Sequence, residues 1–79
     1  MYYVYILEST STGRFYVGST HNIENRLQKH NAGHSRATKG YRPWRLIYCE
    51  EYPTRSDALK RESEIKRRKS RSYISSLLG

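Results

Sequence analysis

The opening run, Met1 to Leu7 (MYYVYIL), constrains this chain more than any other stretch. Its aromatic and β-branched residues suit a pleated, packed surface, so it reads as a strand. It does not alternate apolar with polar. Tyr3, Tyr5 and Leu7 fall on one face, and Tyr2, Val4 and Ile6 fall on the other. A strand apolar on both faces has to be covered on both, which places it in the middle of a sheet. At 79 residues the chain forms one domain over residues 1–79, with room for one small core.

The rest of the chain supplies the covering layers. Glu8 to Gly13 is polar and closed by glycine, as a hairpin loop is, and Phe15-Tyr-Val17 reads as a second strand ended by Gly18. The polar run from Ser19 to Asn22 offers helix caps, and a helix is predicted from Ile23 to Ala32 with Gly33 just beyond its end. Gly33 to Pro43 (GHSRATKGYRP) has no apolar periodicity and reads as a loop. Trp44 to Tyr52 reads as a third strand stopped by Pro53, and a second helix follows from about Asp57 to Lys69, capped by Thr54 or Ser56. The segment from Ser70 to Gly79 allows a short last helix with Tyr73, Ile74, Leu77 and Leu78 packing back. The expected fold is α+β, a three-stranded antiparallel sheet in the order 2-1-3 flanked by two to three helices in the sequence β-β-α-β-α-α.

Fifteen Lys and Arg against seven Asp and Glu leave a net charge of +8, which favours a polyanion as partner. No apolar run approaches the roughly 20 residues that span a bilayer, and no signal-peptide pattern opens the chain, so no membrane association is expected. The single cysteine, Cys49, has no partner for an internal disulfide and no metal-ligand spacing around it. It reads as a buried or half-buried apolar residue of a cytoplasmic protein.

Two helices carry polar residues where apolar ones belong. At roughly 100° per residue, Ile23 and Leu27 define the first helix's buried stripe, with His30 between them and Arg26 at its edge. In the second helix Ala58, Leu59 and Ile65 form the stripe, Glu62 projects from its middle, and Lys60, Arg61, Glu64, Arg67 and Arg68 cover the outer face. A carboxylate in such a stripe is costly unless paired or bound to a cation. Lys66 at i+4 or Arg26 across the core could pair with it, or it could hold a metal. Arg36, Lys39 and Arg42 in the glycine-containing loop, with Lys66 and Arg67 in the second helix, suit a phosphate backbone. No nucleophile elbow, glycine-rich phosphate loop, zinc pattern or paired carboxylates appear. Cutting a phosphodiester needs an activated water, neutralisation of charge on the phosphorane oxygens and help for the departing oxygen. One carboxylate with Mg²⁺, an arginine fork and a tyrosine together supply those groups.

The residues resemble the GIY-YIG nuclease superfamily over nearly the whole chain, and the short stand-alone bacterial members above all. Tyr3-Val4-Tyr5 stands for the first motif and Tyr16-Val17-Gly18 for the second, with ten residues, 6 to 15, between the tyrosines. Arg26 matches the catalytic arginine, His30 the following histidine and Glu62 the metal-binding glutamate. The resemblance implies an endonuclease that hydrolyses DNA with Mg²⁺, or Mn²⁺ in its place, in a structure-selective role tied to repair or recombination. Tyr5 and Tyr16 would position or deprotonate water, with Tyr16 as the base by analogy. Arg26 would neutralise the phosphorane, His30 would orient or relay a proton, and Glu62 would hold the metal. No separate DNA-reading domain is present, which points to low sequence selectivity or a protein partner. A non-catalytic nucleic-acid-binding module and an RNA-directed nuclease share the same features. If Arg36 and Lys39 touch backbone phosphates, replacing both with Gln flattens the log–log salt dependence of duplex binding by about 0.9 per contact and leaves sequence preference alone. An unchanged slope in a salt titration places the binding surface elsewhere.

Overall fold

The computed structural model describes every residue except Lys69, so the predicted end of the second helix at that residue lies outside the described residues. The elements run β1 (Tyr2–Ser9), β2 (Phe15–Thr20), α1 (Ile23–Ala32), α2 (Arg36–Lys39), β3 (Trp44–Tyr52), α3 (Arg55–Arg68) and α4 (Arg71–Leu77). The three strands form an antiparallel sheet in the order β2-β1-β3, so the fold is α+β with the doubly apolar strand at its centre.

Both faces of β1 are sealed: Val4, Ile6 and Leu7 are 0% exposed and Tyr5 2%. Val4, Ile6 and Val17 pack with Ala58 and Ile65 of α3 and Ile74 of α4 in an aliphatic core. Tyr5, Leu7 and Trp44 form a smaller, aromatic core on the opposite face, joined by Tyr16, Ile23, Leu27 and Tyr41. The pairing of β1 with β3 slips by one residue between Ile6 and Leu7. Tyr48 faces Ile6 and Leu46 faces Leu7, which leaves Ile47 to pack on the aliphatic side.

Local signals set several boundaries. The Asn22 side chain accepts from the Asn25 amide at 3.0 Å to cap α1, and Gly33, at φ 83°, closes it in the left-handed region. Thr54 Oγ1 accepts from the Asp57 amide, so α3 begins at Arg55 rather than at Asp57. β2 does not stop at Gly18 but continues to Thr20, because Ser19 and Thr20 still pair with Val4 and Tyr3.

Other expectations are corrected by tertiary contacts. The basic stretch after Gly33 is not all loop: it holds the one-turn helix α2, anchored by fully buried Thr38, whose carbonyl accepts from Trp44 Nε1 at 2.9 Å. Cys49 is exposed, because it lies on outer strand β3 where the small helical layer does not cover it. Leu59 and Leu78 are 43% and 45% exposed. At roughly 100° per residue Leu59 lies well off the Ala58–Ile65 line, and Arg61 and Glu62 flank that line on opposite sides. Arg61 is therefore not on the outer face. The hairpin tip is held too: Ser9 Oγ donates to the Tyr41 carbonyl at 2.6 Å and the Thr10 amide to the Pro43 carbonyl at 2.9 Å.

Arg61 belongs to a charged hub on the aliphatic side. Its Nε donates to Glu50 Oε1 at 2.9 Å, its Nη1 reaches Tyr73 Oη at 2.9 Å, and it also pairs with Glu64. Tyr48 and Tyr52 both donate to Glu50. Burial alone would raise the Glu50 carboxyl, but hydrogen bonds from Arg61, Tyr48 and Tyr52 outweigh it and hold the group at about 2. One carboxylate on β3 thereby ties α3 and α4 to the sheet. Arg61→Met should cost about 2–3 kcal/mol in urea unfolding at neutral pH, since it strands a half-buried carboxylate. The Glu50 contribution is whole above the unfolded carboxyl value of 4.5 and is lost as pH falls from there toward about 2. The gap between wild type and variant should close over the same window. A gap that persists at the acid end assigns the energy to Arg61 packing instead.

Candidate active site

Tyr5 stands opposite Gly18 in the β1–β2 pairing. A Cβ on Gly18 would lie 2.5 Å from Tyr5 Oη and 2.7 Å from its Cζ, so the ring lies directly across the glycine backbone. That path carries the hydroxyl to His30 Nε2, 3.2 Å away. His30 lies in the last turn of α1, 2% exposed, and its Nδ1 meets Thr38 Oγ1 at 2.8 Å. A neutral imidazole donates through one nitrogen and accepts through the other, so the Tyr5–His30–Thr38 row is satisfied in either direction. Burial first, then the Arg26 guanidinium, pushes His30 below its ordinary 6.5. Burial pushes the Tyr5 phenol up, Tyr16 and Glu62 add to that, and Arg26 opposes it. Both side chains are therefore neutral at neutral pH.

Tyr16 is the tyrosine that reaches solvent. Its ring is half-buried, 4.8 Å edge-on from His30 and 6.4 Å from Tyr5, and Trp44 backs it at 6.2 Å. It stands between two clefts. One is lined by Tyr16, Arg26, Lys29, His30 and His34, and the other by Tyr16, Arg14, Phe15, Lys66 and Arg71. Arg26 is exposed rather than turned fully toward the sheet, and among the described residues no carboxylate pairs with it.

Glu62 is inside the α3 packing face, with its side chain 17% exposed. Its partner is Lys66 one turn on, Nζ to Oε2 at 2.6 Å, and not Arg26. Ser19 Oγ donates to the other oxygen at 2.6 Å, which ties the carboxylate to β2 just past Gly18.

The structure thus gathers Tyr5, Tyr16, Arg26 and His30, with Glu62 joined through Ser19. Arg36 and Lys39 are exposed on α2. Arg42 donates to the Lys39 carbonyl at 3.0 Å and packs against Gly33, so its head group helps close that loop. Lys66 is committed to Glu62, while Arg67 lines a separate cleft with Lys60 and Ser63. Lys29 and Thr38 join the site without having been singled out in the sequence, and Ser19, read there among the candidate helix caps, joins it as the partner of Glu62. Lys29, three residues after Arg26, and Ser19, beside Gly18, had a positional signal. Thr38 had none, because its role depends on a fold-back across eight residues.

Among the described residues no three His, Cys, Asp or Glu side chains gather as metal ligands. A lone carboxylate does not fit Zn²⁺, which takes three or four protein ligands. It fits Mg²⁺, which keeps several waters and uses one or two carboxylates beside a substrate phosphate. A cation at Glu62 would take the position that the Lys66 ammonium holds.

Residues 1–74 match the model of the GIY-YIG catalytic domain, and the chain belongs to that family of nucleases, whose substrates are nucleic acids. Among its relatives are the UPF0213 proteins of Staphylococcus aureus strains Mu3 and Mu50, each 46% identical over 66 residues, 82% of this chain and 79% of theirs. The solution NMR structure of a UPF0213 protein from Bacillus halodurans is similar at a TM-score of 0.58 and 36% identity, covering 100% of this chain and 88% of that one.

The Tyr5–Gly18 contact can be measured. Gly18→Ala should destabilise the protein by about 1–3 kcal/mol, because the new methyl has to displace a packed ring. In a Tyr5→Ala background the ring is gone and the same methyl should cost close to nothing. A double-mutant cycle from urea unfolding in which the two costs simply add contradicts the close approach.

Proposed function

We propose that the protein is a Mg²⁺-dependent endonuclease that hydrolyses phosphodiester bonds in DNA. The observation that carries this reading is the shared cleft of Tyr16, Arg26 and His30, with Glu62 fixed beside it through Ser19. Arg26, which no carboxylate pairs among the described residues, offers its guanidinium fork to the non-bridging oxygens and neutralises charge growing there. Of the two tyrosines Tyr16 is the one that lines the cleft, and as the phenolate, its own proton having gone to solvent, it would take the proton of the attacking water. Tyr5, sealed in the core with a raised pKa, is a positioning residue. It fixes the neutral imidazole of His30, which packs edge-on against Tyr16 and sets the angle of its ring. Glu62 would hold the metal, which when bound supplies charge for the phosphate and the departing oxygen. Arg36, Lys39 and Lys29 extend the positive surface beyond the cleft for the backbone.

Glu62→Gln separates this reading from a purely structural glutamate. The amide oxygen still accepts from Ser19, and the Lys66 partner is 49% exposed. Loss of that pair should cost only about 0.5 kcal/mol. Single-turnover cleavage of plasmid DNA with Mg²⁺ should fall by about 100-fold or more, while DNA binding survives. A variant that melts much earlier yet still cuts removes Glu62 from the site. A wild-type protein that binds but never cuts, with Mg²⁺ or Mn²⁺, is a binding module instead.

A further inference from the structure

A second polar cleft adjoins the proposed active site and shares Arg26 and Ser19 with it. It holds about 330 Å³ between β2, the start of α1 and the first turn of α3, and its lining includes Tyr2, Ser19, Thr20, His21, Arg26 and Arg55. The two hydroxyls are already used: Ser19 donates to Glu62 at 2.6 Å and Thr20 donates to the Asn22 carbonyl at 3.3 Å. The other residues with polar groups that line it are Tyr2, His21, Arg26 and Arg55. No carboxylate lines it, and among the described residues neither Arg26 nor Arg55 forms an ion pair. Both arginines line this cleft, and their planar forks match the paired oxygens of a phosphodiester. Neither Arg55 nor His21 has a part in the chemistry described above.

Arg26 lines both clefts, one with Tyr16 and His30 and the other with Arg55 and His21. The geometry points to a second phosphate subsite, in which Arg55 and His21 hold the backbone phosphate next to the one being cut while Arg26 bridges the two. This inference rests on the nuclease reading and deepens it. It gives the strand a path across Ser19 and the start of α3, away from the α2 surface that carries Arg36 and Lys39. The strand is thus gripped on both sides of the scissile bond, which fixes that bond relative to Tyr16.

The test uses the full chain and a labelled DNA duplex, with an RNA duplex of the same sequence as a second arm. Binding is measured by fluorescence anisotropy in EDTA as salt is raised, for wild type, Arg55→Gln and Lys60→Gln, the last an exposed lysine on the far side of α3. Arg55→Gln should make the log–log slope shallower by about 0.9 on duplex DNA, and Lys60→Gln should leave it unchanged. Cleavage with Mg²⁺ is then read on strands carrying one neutral methylphosphonate at successive positions. For wild type, cutting should be lost at the modified bond and weakened at one neighbouring bond on a fixed side. In Arg55→Gln that neighbour should no longer depend on the modification. An unchanged slope and ladder in Arg55→Gln overturn the subsite and leave the nuclease reading standing. A shallower slope with an unchanged ladder also overturns it, since Arg55 then acts only through overall charge. A wild-type protein that leaves both duplexes whole sinks the nuclease reading and the subsite with it.

Discussion

The site depends on one close approach, the Tyr5 ring lying across the Gly18 backbone. A side chain at Gly18 would occupy the space of the phenol, so the second strand has to carry glycine where it faces the fifth residue of the first. The ring can then stay flat in the aromatic core and still deliver its hydroxyl to His30. Through His30 the same contact sets the angle of Tyr16 and the position of the last turn of α1, and with it Arg26. Strand register and chemistry are one constraint here. A slip of one residue between β1 and β2 would put every Tyr5 atom on the wrong face.

The two faces of the sheet divide the work. The aliphatic face carries stability, with α3 and α4 clamped to β3 by Glu50 and Arg61. The aromatic face carries most of the site, with Glu62 bonded to Ser19 from α3 on the aliphatic side, and Tyr5, Tyr16 and His30 serve as packing and as chemistry together. In a domain of this size few side chains can be given to function alone. Arg26 and Lys29, both exposed on α1, are free of that double duty.

Much of this was legible in the sequence for local reasons. The central position of β1 follows from its lack of alternation, and the ends of α1 follow from Asn22 and Gly33. The order of site residues followed from motif resemblance, which covers the chain almost end to end. Most of the misses share a cause: they are decided by partners outside the stretch itself. Arg61 is turned inward by Glu50 and Tyr73, eleven and twelve residues away. Thr38 is buried because His30 and Trp44 both bond to it, and no property of the stretch itself announces a helical turn there. Cys49 has a small apolar side chain that outer strand β3 leaves uncovered, and Leu59 is exposed because its helical angle carries it well off the Ala58–Ile65 line.

The anchored hairpin tip has a consequence for how such a domain can vary. Surface turns are ordinarily where chains accept insertions, tags and new segments. Here the tip is a buttress: Ser9 and Thr10 bond to the carbonyls of Tyr41 and Pro43, directly before Trp44. Asn31 of α1 holds the Trp44 backbone on both sides, accepting from its amide at 2.6 Å and donating to its carbonyl at 3.1 Å. Lengthening the turn would therefore shift the segment that backs Tyr16. An exposed turn on the surface thereby becomes as restricted in length as a core strand.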